Sequence, residues 1–209
     1  MLKHHLKIFF ALSLLSVMAG TLAGCSDKAV LLPLGKNATI LAFGDSLTYG
    51  TGTSRDKAYP AILSTLIGRK VINSGIPGEV SLKGLQRLPA QLERYQPDLL
   101  ILCHGANDIL RKKDMAAAKN NIQKMIDLAR NNDIQVVLIG VPEFGIFLNT
   151  ATIYPELAEE NKLPVEKDII ADILTNNALK SDHIHPNAQG YQLLAEKVKD
   201  LLVNAGALP

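Results

Sequence analysis

The sequence has few cysteines, little excess of charge of either sign, and no apolar run long enough to cross a bilayer. Each shortage closes off a class of protein. With only Cys25 and Cys103 present, a disulfide-stapled scaffold is excluded, and Cys103 lies in the apolar run 98–104, where a free cysteine behaves as a small buried hydrophobe. Its neighbour His104 does not make it a reactive dyad, because adjacent residues on a strand point to opposite faces. The apolar run from Ile8 to Ala19 falls short of the about 20 residues that a membrane-spanning helix needs. Without residues 1 to 24, which hold Lys3 and Lys7 and no acid, 20 basic side chains face 20 acidic ones. A neutral domain argues against a nucleic-acid partner, which would need a clustered basic face. There is no internal repeat, no low-complexity segment, and no ligand cluster of zinc-like spacing, so neither a metal nor another cofactor is expected.

What is present begins with an export signal. Lys3 and Lys7 precede the apolar run, and Leu22-Ala23-Gly24-Cys25 closes it. The tetrapeptide resembles a bacterial lipobox, in which small residues fit a signal-peptidase pocket and the cysteine sulfur receives a diacylglycerol. Cys25 would then be the lipid-anchored N-terminus on the periplasmic side of the envelope, and Ser26 favours the outer membrane by the enterobacterial sorting pattern. A soluble product cut near Ala23, or an uncleaved anchor, are the alternatives. The expected organisation is a signal peptide over 1–25, a linker over 26–36 and one domain over 37–209, with about 185 residues remaining after cleavage.

The domain is organised around Thr39 to Gly50, T-I-L-A-F-G-D-S-L-T-Y-G, where an apolar run breaks at Gly44-Asp45-Ser46. A strand over Ile40 to Phe43 thus ends by presenting a serine. A helix over Ala58 to Gly68 follows, then a strand from Val71-Ile72 into the turn formers Asn73 to Gly78, and a helix over Leu82 to Tyr95 with a kink expected at Pro89. A third strand, Leu99 to Cys103, ends at His104-Gly105-Ala106-Asn107-Asp108. Asp114 is a plausible N-cap for a helix to about Asn131, and Gln135 to Val141 is a fourth strand. Beyond it the spacing predicts a helix over 151–160, a short strand over 163–165, a helix over 167–175 and a last helix from Asn187. Strands and helices alternating in this way predict an α/β fold with a parallel sheet covered on both faces.

Ser46 needs a base, because a hydroxyl is a poor nucleophile until its proton is taken, and the base must be oriented through its other ring nitrogen. Asp182, three residues ahead of His185 on a turn fixed by Pro186, can reach back to Nδ1 and leave Nε2 free for Ser46. A developing oxyanion needs donors, and the backbone N–H of Ser46, the backbone N–H of Gly78 and the amide of Asn107 are the candidates after successive strands.

These blocks resemble the SGNH or GDSL hydrolases over nearly the whole mature chain: Gly44-Asp45-Ser46-Leu47, Gly78 in I-P-G-E-V-S, Gly105-Ala106-Asn107-Asp108, and Asp182 to His185, in that order. The resemblance implies a three-layer αβα sandwich on a five-stranded flavodoxin-like sheet, and acyl transfer through an acyl-serine with Asp182 orienting His185. The phrases I-L-A-F-G-D-S-L-T-Y-G and G-L-x-R-L-P-A look closest to the arylesterase, acyl-thioesterase and lysophospholipase branch. The expected substrates are small-molecule or lipid esters or thioesters. A carbohydrate O-acetylesterase is the alternative enzyme, and a non-catalytic binding lipoprotein the alternative from another class. Ile109 to Lys113 replaces a mobile substrate-covering loop of that branch, where Leu110 could touch an acyl chain. Phe144, Ile146 and Phe147, in the loop Glu143 to Asn149, either pack inward or line an apolar substrate site.

Overall fold

Five short strands form one parallel sheet, which the computed structural model, describing residues 29–145 and 148–209, arranges in the order β2-β1-β3-β4-β5. The strands are β1 (Thr39–Gly44), β2 (Lys70–Gly75), β3 (Leu99–Cys103), β4 (Gln135–Ile139) and β5 (Val165–Glu166). Every residue of β3 is buried, as are all but the first of β1 and β4, whereas the edge strand β2 is only partly covered. Continuous rather than alternating apolar patterning is what helices on both faces require. The helices are α1 (Ser46–Tyr49), α2 (Tyr59–Ile67), α3 (Ser81–Tyr95), α4 (Ala106–Leu110), α5 (Met115–Arg130), α6 (Ile153–Asn161), α7 (Ile169–Thr175) and α8 (Ala188–Asn204). α2 packs on α8, and α3 packs on α5.

The chain winds outward from β1 to β2, then returns across β1 to continue through β3, β4 and β5. The order reverses between β1 and β3, so the connections leaving these two strands part and open a crevice at their carboxyl ends. Ser46 follows β1 directly, and Asn107 follows β3.

The expected elements are all present with ends shifted by a few residues. Two short helices, α1 and α4, occupy stretches read from the sequence as loop, because one turn of helix is too short to carry a periodic signal. α3 runs unbroken through Pro89, whose position on the exposed side lets water satisfy the carbonyl that a proline cannot serve. The linker expected over 26–36 is corrected by the structure from Leu31 onward. Leu31 and Leu34 are buried in the core and donate backbone hydrogen bonds to Ala205 O (2.8 Å) and Ala207 O (2.9 Å). Arg69 holds the same segment through Leu34 O and Gly35 O, both at 3.0 Å. Apolar side chains three apart thus fasten this stretch to the end of α8. Residues 1–28, including Cys25, and residues 146–147 lie outside the described residues.

Two glycines set how closely α1 sits on the strand ends. A Cβ on Gly44 would lie 2.0 Å from Cys103 O, and one on Gly75 would lie 2.1 Å from Tyr49 N. Neither contact can relax without moving backbone. Gly75→Ala should therefore lower stability by about 1–3 kcal/mol, seen as a reduced urea midpoint, and should lower activity because Ser46 rides on the displaced turn.

Candidate active site

Asp45 starts α1 by accepting the Leu47 N–H on Oδ1 (3.1 Å), which places Ser46 at the first helical position. The helix turns sharply out of β1, and the bond from Ile76 N to Gly44 O (3.1 Å) ties it to the end of β2. Ser46 is left partly open to solvent between two buried neighbours, Asp45 and Leu47.

The opposing wall is the turn before α8. Lys180 and Pro186 form an isolated antiparallel bridge, and Ser181 N–H donates to His185 O (2.9 Å), so the loop between them is pinned at its base. Asp182 Oδ1 accepts two backbone N–H groups, from Ile184 and His185, both at 2.8 Å. Its other oxygen, Oδ2, lies 2.8 Å from His185 Nδ1, and His185 Nε2 lies 3.0 Å from Ser46 Oγ. Desolvation alone would raise the Asp182 pKa, but the hydrogen bonds from His185 and Ile184 and the His185 charge hold it below the usual carboxylate value. An ionised carboxylate can only accept, so the neutral imidazole carries its proton on Nδ1 and offers a lone pair at Nε2 to the serine hydroxyl. That is the protonation pattern in which His185 can take the Ser46 proton. His183 is exposed on the same loop and lies outside this chain of contacts.

Gly78 occupies the third position of a turn from Ile76 to Glu79, closed by Glu79 N to Ile76 O (3.2 Å), with Pro77 second and a φ of 78° at Gly78. Proline followed by a residue at positive φ is the type II pattern, which explains why glycine stands there. The turn's own closing bond leaves the Gly78 N–H unused. Asn107 is buried on α4, and its Nδ2 donates to Glu79 O (3.1 Å), while Arg111 donates to Gly78 O (2.8 Å). The two residues expected to bind an oxyanion therefore form one unit.

Of the expected substrate-contacting residues, Phe144 lines a cavity of about 170 Å³ together with Ile109, Lys112, Lys113, Met115 and Glu143. Leu110 does not line it and is 39% exposed, whereas its neighbour Ile109 does line it. Ile146 and Phe147 lie outside the described residues. Two larger hollows, of about 480 and 260 Å³, open at the amino ends of the strands beside Pro97 and Leu163, and none of the residues above lines them.

The sequence reading missed a set of buried polar supports. Asp108 accepts Ser81 N–H (2.7 Å) and Ser81 Oγ–H (2.8 Å), fastening the start of α3 to α4. Glu79 pairs with Arg87 (2.7 Å) and with His104 Nε2 (3.2 Å). The available signal was an acid directly after Gly78 and an arginine two turns into the next helix. Burial would raise the Glu79 pKa, but His104 and Arg87, through hydrogen bonds and charge, bring it down to about 2. Burial pushes the Asp45 carboxyl up, His104 and hydrogen-bond donors offsetting part of the effect, and pushes the Cys103 thiol up.

A nucleophilic hydroxyl, an imidazole set to take its proton and a carboxylate orienting that imidazole, gathered at the switch point of a doubly wound sheet, define a serine hydrolase. The chain belongs to the GDSL-like lipase/acylhydrolase family, whose model matches residues 42–193, and it is an ester-hydrolysing member of that class. It is 31% identical over 175 residues to an arylesterase of Vibrio mimicus, covering 78% of this chain and 88% of that one. It is 32% identical over 166 residues to the thioesterase 1/protease 1/lysophospholipase L1 of Escherichia coli K12, covering 76% of this chain and 80% of that one. Among solved structures, that of TesA superposes with a TM-score of 0.73 at 26% identity, covering 80% of this chain and 99% of that one.

A carboxylate held low by its partners contributes stability above its ordinary pKa and loses it as the pH falls through the folded value. For Glu79 that window runs from about 4.5 down to about 2. Urea midpoints measured across it should fall more steeply for the wild type than for Glu79→Gln; parallel curves would contradict the assignment.

Proposed function

We propose that this chain cleaves esters or thioesters with an apolar acyl group, from an exported and lipid-anchored position. The observation that carries the chemistry is the continuous path from Asp182 Oδ2 through His185 to Ser46 Oγ, at 2.8 and 3.0 Å. Ser46 Oγ attacks the acyl carbonyl carbon while His185 Nε2 takes the hydroxyl proton. Negative charge then forms on the carbonyl oxygen, where the backbone N–H groups of Ser46 and Gly78 and the amide of Asn107 stabilise it. The tetrahedral centre collapses, the carbon–oxygen or carbon–sulfur bond to the leaving group breaks, and His185 returns the proton to that group. Water, deprotonated in turn by His185, attacks the acyl-serine and releases the carboxylic acid. Asp182 keeps Nδ1 protonated and the ring oriented throughout.

The apolar side chains of Ile109, Met115 and Phe144 in the cavity beside α4 support an apolar acyl group. The names of the relatives, arylesterase and thioesterase/lysophospholipase, support an acyl-transfer reading without selecting a leaving group. The lipobox-like Leu22-Ala23-Gly24-Cys25 supports lipidation at Cys25 and a periplasm-facing anchor in the outer membrane.

Hydrolysis of p-nitrophenyl esters from acetyl to palmitoyl should favour chains longer than acetyl and vanish in Ser46→Ala. Persistence of turnover in that variant would overturn the proposal. Asn107→Ala should slow turnover by roughly a hundred- to a thousandfold. His185→Ala should be far more damaging than His183→Ala, and the reverse order would assign the base elsewhere. Cys25→Ser should release the protein from membranes; continued retention would point to an uncleaved signal.

A further inference from the structure

We infer that Glu79 is a positioning residue for the oxyanion wall, its buried carboxylate, locked by Arg87 and His104, holding the main-chain oxygen that aims the Asn107 amide. The inference rests on the reading of Gly78 and Asn107 as oxyanion donors.

Three observations converge on Glu79. Its carboxylate receives Arg87 Nε (2.9 Å) and Nη2 (2.7 Å), a two-pronged geometry that fixes direction as well as distance, and His104 Nε2 approaches at 3.2 Å. Arg87 is itself immobilised: Nη1 donates to Ser74 Oγ (2.7 Å), Nη2 to Ser74 O (3.1 Å), and the guanidinium lies 4.1 Å from the centre of the Phe43 ring. The side chain of Glu79 is therefore tied to the ends of both β1 and β2. Its main-chain oxygen, meanwhile, is the acceptor for Asn107 Nδ2, and its main-chain nitrogen closes the turn that presents Gly78. One residue thus links the strand ends to both donors that do not belong to α1.

The packing around the cluster is built for it. His104 is fully buried under α3, where a Cβ on Gly84 would stand 2.3 Å from its Nε2. Glu79 retains 7% of its side-chain exposure. Burying two or three ionisable groups costs desolvation that their mutual attraction only roughly offsets, so apolar side chains of similar volume would stabilise the fold as well or better. What apolar packing would not supply is a fixed direction for the Glu79 carbonyl. An amide free to rotate about its side-chain bonds loses the preorganisation that gives an oxyanion donor its effect.

A positioning role and a purely structural one separate in a double-mutant cycle. kcat and KM for p-nitrophenyl butyrate are measured for the wild type, Glu79→Gln, Asn107→Ala and the double variant, with thermal unfolding followed for each. Glu79→Gln should lower kcat roughly ten- to a hundredfold and leave KM within about threefold, because the donor acts on the transition state more than on the ground state. In the Asn107→Ala background the same change should cost less than about threefold, since there is no longer an amide to aim. Losses that multiply in the double variant, or wild-type kcat in Glu79→Gln, would overturn the inference while leaving the catalytic reading intact. Wild-type kcat in Asn107→Ala would instead overturn the oxyanion reading itself. If Glu79→Gln does not fold, Glu79→Asp, which keeps the charge and shortens the reach, should show a smaller kcat loss with the same non-additivity; full additivity would contradict the inference equally.

Discussion

The contact between Ser46 Oγ and His185 Nε2, 3.0 Å long, joins residues 139 apart in the chain. Most of the fold can be understood as what is needed to make that contact and keep it. β1 delivers the serine at one side of the crevice, while α8 packs against α2 and fixes the turn that carries the histidine from the other. Asn187 caps α8 by accepting the Gln189 and Gly190 N–H groups, and its amide bonds back to Ala178 O (2.8 Å), so the turn and the helix are anchored together. Asp182 spends one oxygen on its own loop and one on the imidazole. The carboxylate thereby shapes the segment that it electrostatically serves, which explains why a half-exposed acid can still orient the base.

Close backbone approach is the second constraint. α1 lies against strands whose ends present no side chain at Gly44 and Gly75, and α3 passes over His104 at Gly84. In each case the absence of a Cβ lets a polar group reach a position that packing alone would deny it. The polar groups left beneath the nucleophile turn are unusual: Asp45 Oδ2 and His104 Nδ1 are buried without a partner among the described residues.

The candidate catalytic blocks stand out in the sequence because each couples a break in hydrophobic patterning with residues whose chemistry is scarce. Ser46 ends an apolar run, and residues 25–209 hold only three histidines, of which His185 alone has an acid three residues ahead of it. The alternation of strands and helices was legible for the same reason, since the buried apolar runs of β1, β3 and β4 carry a strong signal. α1 and α4 were not, because helices of four and five residues leave no periodicity to read. The role of Leu31 and Leu34 depends on meeting the end of α8, a contact that no local pattern encodes. Glu79, Arg87 and His104 stayed hidden because a charged residue in a sequence reads as surface until its partners are placed. Leu110 and Ile109 differ only in which side of a single helical turn each occupies, and this is decided by the packing of α4 on α5.

The central claim is that Ser46 is the group acylated, with His185 as its base. Exposure to an excess of diethyl p-nitrophenyl phosphate, followed by intact mass measurement and peptide mapping, tests it directly, because the reagent transfers its phosphoryl group to an activated hydroxyl. The account predicts one diethylphosphoryl adduct per chain, on the peptide containing Ser46, forming at least a hundredfold more slowly in His185→Ala. Modification mapped to another residue, or labelling of Ser46 at an unchanged rate without His185, would contradict it.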